Sequence, residues 1–147
     1  MRFAEAIGAV ACLAALTGCD KSFHLMLRND VGRPIGVTLG SDAKTIAPGA
    51  SRDFKLGGDR RFRVEAGAER WDYGRSWLSG DFFSFNAGDY RFVRSSGFWG
   101  PSTVYTVLEG DGQIFVRSVV DNRQTDERAN PQPEGYPLTP AKSGLEP

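Results

Sequence analysis

From Phe23 to about Asn122 the chain alternates with a period of two, and no stretch of that span carries a helical stripe. Phe23, Leu25 and Leu27 alternate with His24, Met26 and Arg28. Ile35, Val37 and Leu39 alternate with Gly36 and Thr38, and Pro34 stands at that strand's entrance, where a missing N–H is tolerated. A short strand around Thr45–Ala47 ends at the turn Pro48-Gly49, and Phe54 and Leu56 follow between polar neighbours. Such a chain has to bury one face of each strand, so it folds as sheet upon sheet or as a barrel.

Hairpin registers can be argued from parity. Between Arg61 and Tyr73, the even-numbered Phe62 and Val64 share a face with the odd-numbered Trp71 and Tyr73 only if paired positions sum to an odd number. A two-residue loop at Gly67-Ala68 gives that register, and glycine at the first loop position suits a type II′ turn. The same register sets Glu65 opposite Arg70 and Arg63 opposite Asp72, pairs of opposite charge that contribute about 0.2–1 kcal/mol each. A second hairpin is expected at Phe82–Arg94, turning at Ala87-Gly88, with Phe85 opposite Tyr90 and Phe83 opposite Phe92. A third runs from Thr103 to Val120 around Gly110-Asp111-Gly112, with Tyr105 and Val107 expected on one face with Ile114 and Val116.

Short strands joined by glycine-rich turns every 8–12 residues predict a single all-β domain over residues 23–122, an antiparallel β-sandwich built from successive hairpins. A small closed β-barrel is the alternative. Beyond Asn122 the alternation stops. Residues 123–147 hold five of the eight prolines and few apolar residues, the composition of a disordered tail.

The N-terminus is of another kind. Ala6 to Leu16 is an apolar or small run, too short to span a bilayer as a helix and within the range of an export-signal core. It ends at Leu16-Thr17-Gly18-Cys19, which resembles the lipobox of bacterial lipoproteins. That resemblance implies a signal peptide over 1–18 and a Cys19 that opens the mature chain, diacylated on sulfur and often acylated on nitrogen. Two or three acyl chains hold a protein stably at a membrane. Asp20, directly after the cysteine, implies inner-membrane retention by the enterobacterial sorting rule, with the outer membrane as the alternative. Residues 19–22 then serve as anchor and tether, with a reach of roughly 10–14 Å at about 3.5 Å per residue. Cys12 leaves with the signal, so the mature chain has no disulfide to form. A shorter likeness lies in Leu27–Ile35, which resembles the first turn of the small β-sandwich lipoproteins of type VI secretion systems. It covers nine residues, and no function is carried over from it.

The chemistry is sparse. Lys+Arg and Asp+Glu are 18 each, without the basic excess of a nucleic-acid binder. The single histidine, His24, lies on the first strand, where it reads as facing water or headgroups. Clusters of His and Cys that would hold zinc or copper are absent from the sequence, and no cofactor is expected. Asp53, Glu65 and Asp72 fall on polar faces beside arginines and read as solvated pairs.

One surface stands out. Gly74–Asp81 carries Trp77 and Leu78, and Ser95–Pro101 carries Phe98 and Trp99, both without strand alternation. They flank one expected hairpin and so should emerge at the same end of the domain, where Tyr73 joins them. These rings either plug the end of the sandwich or stay exposed as a contact site. The expectation is a non-enzymatic envelope lipoprotein, anchored to the membrane and contacting another envelope protein. A glycan- or peptidoglycan-binding sandwich is the alternative, and a carboxylate-dependent hydrolase the third.

Overall fold

The computed structural model describes residues 22–56, 61–74, 91–97 and 100–141. They form β1 (Phe23–Asn29), β2 (Ile35–Leu39), β3 (Asp42–Ile46), β4 (Ser51–Leu56), β5 (Phe62–Ala66), β6 (Glu69–Gly74), β7 (Val93–Ser95), β8 (Ser102–Leu108), β9 (Ile114–Val120) and β10 (Arg123–Arg128). One sheet has the order β10-β9-β8-β1-β4, with β7 also on β8, and the other has the order β3-β2-β5-β6. The sheets do not close on themselves. The fold is a sandwich.

Alternation does the sorting. Leu25, Leu27, Phe54, Val104, Leu108, Ile114 and Val116 from the first sheet meet Ile35, Val37, Leu39, Ile46, Phe62 and Val64 from the second, in one buried core. Phe92 belongs to it too, as expected, whereas Phe83, Phe85 and Tyr90 lie outside the described residues.

The hairpins are not simply successive. β1 pairs antiparallel with β4 and parallel with β8, a strand 79 residues further on at every paired position. The seven-residue β8 has β1 along one edge, while its other edge is shared end to end by β7 and β9. Parity decides the β5–β6 hairpin as argued: Ala66 faces Glu69, Glu65 faces Arg70, Val64 faces Trp71 and Arg63 faces Asp72. The positive φ falls on Gly67 (+66°) and not on Ala68. A bulge beyond Arg63 then sets Phe62 opposite Gly74, while its ring still stacks on Tyr73, centroids 4.9 Å apart.

Two expectations fail. In β8–β9 the pairing is Thr106–Val116, Val107–Phe115 and Leu108–Ile114, so Val104, Thr106 and Leu108 share the core face with Ile114 and Val116. Tyr105 and Val107 point the other way. The cause is the odd number of residues in the loop: Glu109 N–H donates to Gln113 O across Gly110-Asp111-Gly112 (3.0 Å), and one step of register exchanges the faces.

The tail is the second correction. Asp121 and Asn122 take left-handed φ values of +49° and +57°, a two-residue turn of the I′ kind, and β10 folds back on β9. Residues 129–141 then cross from one sheet to the other. Leu138 bridges to Ile114 and Ala141 to Asp72, while Ala129, Tyr136 and Leu138 pack on the core. Residues 142–147 lie outside the described residues.

Candidate functional site

The strand directions give the sandwich two distinct ends. β1 and β8 run parallel away from Ser22 and Ser102, and Ser102 N–H donates to Ser22 O at 2.9 Å. Ser95, the last residue of β7, pairs with Ser102, and Ser96 N–H donates to Pro101 O (3.1 Å). The Asn122 side chain completes the row, accepting from Ser95 N–H and donating to Ser95 O, both at 2.8 Å. Ser22, the β7–β8 connection and the β9–β10 turn therefore meet at one end, the end from which the chain leads back to Cys19.

Gly74, where β6 stops, is paired with Phe62, and Phe62 is paired with Leu39 at the far end of β2 from Ile35. These pairings lie within the second sheet, and the neighbouring Tyr73 reaches Gly112 in the β8–β9 turn, so among the described residues no contact brings Gly74 to Ser95. Trp77, Leu78, Phe98 and Trp99 themselves lie outside the described residues, as do Cys19 and Asp20. Tyr73 does not join an exposed patch. It is 7% exposed, and its phenol donates to Gly112 O at 2.6 Å. Burial pushes that phenol above its usual range, helped by the negative charge of Asp111.

The opposite end is organised by Asn29, which is fully buried. Its amide donates to Arg33 O (2.7 Å) and Ile46 O (3.0 Å) and accepts from Val31 N–H (2.9 Å), while its own carbonyl accepts from Gly49 N–H (2.7 Å). The Leu27–Ile35 stretch thus has a structural job: one side chain closes the β1–β2 turn and ties it to the end of β3.

The outward face of the first sheet carries the remaining chemistry. His24 Nδ1 lies 2.7 Å from Asp53 Oδ2, on neighbouring strands. This pair fixes the imidazole's orientation, and among the described residues no serine or threonine hydroxyl bonds to it. Along the same face lie Met26, Arg28, Tyr105, Val107, Phe115 and Arg117, as the strand registers require. Arg94 donates to the Tyr105 hydroxyl (3.3 Å), Arg117 pairs with Asp126, and Arg128 lies over the Phe115 ring at 3.9 Å while pairing with Glu109. Sequence reasoning missed this face because β1 and β8 are neighbours only through a parallel pairing that no local signal marks.

Asp72 is the carboxylate with a displaced pKa. Burial raises it, but the Gly74 N–H at 2.9 Å and the guanidinium groups of Arg61 and Arg63 outweigh that and hold it below the usual aspartate range. It is a structural pair, well shielded at 19% side-chain exposure. A groove of about 180 Å³ lies between Arg91, Phe92, Ser118, Val119, Val120, Ala129, Asn130 and Pro131. Among the described residues no group of three His, Cys, Asp or Glu could hold a metal ion, and no helix is long and apolar enough to cross a membrane.

No family model matches the sequence, and neither a curated protein nor a solved structure matches it.

Proposed function

We propose that this chain is a non-enzymatic lipoprotein of the cell envelope, held at a membrane by acylated Cys19 and presenting its β-sandwich to another envelope protein. The observation that carries the reading is how abruptly the fold begins. Cys19 ends the lipobox-like run, and three residues later the Ser22 carbonyl is already bonded to Ser102. A domain so tethered stays within about 10–11 Å of its anchor at 3.3–3.6 Å per residue. Asp20 favours the inner membrane. The outward face of the first sheet, where half-buried Met26 and Phe115 stand near Arg28 and Arg94, has the residue types enriched in protein contacts. Among the described residues the His24–Asp53 pair has no bonded hydroxyl, which favours a contact role over catalysis.

Metabolic labelling with an alkyne fatty acid should mark the wild-type chain and leave Cys19→Ser unmarked, and equal labelling of both would overturn the anchor. Affinity isolation from detergent-solubilised membranes should retain an envelope protein. Retention of purified peptidoglycan with no protein would replace that partner by a glycan.

A further inference from the structure

The end of the sandwich that holds the start of β1 also holds the β7–β8 connection and the β9–β10 turn. From this shared position we infer that the tip Val120-Asp121-Asn122 is a second point of membrane contact, lying on the bilayer that carries the acyl chains. The inference rests on the lipoprotein reading.

Three observations argue for it. The first is reach. From β1 to β8 to β7 to Asn122 is three lateral steps of about 4.8 Å, roughly 15 Å in all, comparable to the tether's length. A domain held that close by Ser22 brings the neighbouring tip down with it. The second is exposure. Val120 is 58% exposed, the one large hydrophobic side chain in that state among the described residues, and it rims the apolar groove of Phe92, Val119 and Pro131. Nothing loose presents it, because Asn122 clamps the turn to Ser95 with two hydrogen bonds. The third is charge. Along this rim of the first sheet, Ser22, Ser95, Ser96, Gly97, Gly100, Pro101, Ser102 and Val120–Arg123 carry one charge of each sign, Asp121 and Arg123. At the other end Asp30 is paired with Arg28, Arg33 with Glu69 and Glu109 with Arg128, which leaves Asp111 in excess. An anionic lipid surface repels that excess charge, whereas the balanced rim meets headgroups with little charge to desolvate.

The test uses the mature acylated chain in vesicles of phosphatidylethanolamine and phosphatidylglycerol. A solvent-sensitive fluorophore is placed on Val120→Cys, or on Asp111→Cys at the opposite end. Acylated Cys19 carries no free thiol to compete for the label. Lipids bearing a doxyl quencher should reduce emission about twofold or more at position 120 and leave position 111 unchanged, as expected for a side chain at the headgroup boundary. Ser96→Cys, exposed at the same rim, gives the same reading if labelled Val120→Cys does not fold. Equal quenching at both ends, or stronger quenching at position 111, in protein that floats with the vesicles would overturn this inference and leave the anchor standing. Protein that carries no acyl group and does not float would overturn the anchor and this inference together.

Discussion

Leu138 and Ile114 exchange two main-chain hydrogen bonds, N–H to O at 2.9 and 3.0 Å, across 24 residues of sequence. With Ala141 bonded to Asp72 O (2.8 Å) three residues later, the C-terminal segment straps the first sheet to the second on the side where β6 faces the β8–β9 turn. A chain stopped after Arg128 loses the packing of half-buried Tyr136 and Leu138 against the core, each a part of the about 1.5–3 kcal/mol that full burial is worth. It should therefore be about 2–4 kcal/mol less stable than the full chain in urea unfolding. A truncated chain with unchanged stability would mean that the strap adds nothing.

Asn29 bonds only to main chain, with every partner near the β1–β2 turn or the end of β3. Asn29→Ala strands the buried Ile46 carbonyl, at about 1–3 kcal/mol, and frees the part-buried Arg33 carbonyl and Val31 N–H, which water can partly satisfy. The expected loss is about 2–4 kcal/mol by the same denaturation assay. Asn29→Asp should be no better, since its carboxylate would face the carbonyls of Arg33 and Ile46.

Gly112 has φ +81°, and a Cβ built on it would meet the Trp71 indole at 2.9 Å. Gly112→Ala then adds left-handed strain of about 1–2 kcal/mol to overpacking of about 1–3. Thermal unfolding should show the variant destabilised by about 2–5 kcal/mol. Gly110→Ala, with open space around its Cβ, is the control and should change little.

Tyr73 makes the alkaline limb of stability testable. Its phenol is held neutral by burial and by the negative charge of Asp111, so its folded pKa lies above the ordinary value of 10. The stabilisation is therefore complete below pH 10 and falls as pH rises from there towards the folded value, because the unfolded chain ionises first. Tyr73→Phe should lose about 1 kcal/mol at pH 7, the worth of one neutral hydrogen bond, and show a shallower decline above pH 10. A parallel decline in both proteins would assign the alkaline limb to other groups.

What the sequence made legible was whatever is local. Period-two alternation located the strands, and the glycine and the opposite charges of the β5–β6 hairpin fixed its register as far as Arg63. Tyr105 shows the limit of that reasoning. Its face depended on whether the loop after Glu109 has an odd or even number of residues, and Gly-Asp-Gly was taken with the wrong parity. The tail was lost to composition: prolines and charges hid a two-residue Asp121-Asn122 turn that is itself a hairpin signal. The pairing of β1 with β8 leaves no mark in either strand. With it went the outward face on which Met26 lies beside Tyr105 and Arg28 beside Val107. Of the expected aromatic surface, only Tyr73 falls within the described residues, and it is buried.

The central place of β1 has a mechanical meaning. Under the proposed anchor at Cys19, a pull on the tether enters the domain at Ser22 and runs along the strand axis, since β1 lies between β4 and β8 over nearly its whole length. Such a force shears two ladders at once and spreads over many hydrogen bonds, whereas an edge strand pulled sideways would unzip one bond at a time. The attachment point is thus the strand best placed to resist extraction, and the domain should withstand drag at the membrane far better than its modest size suggests.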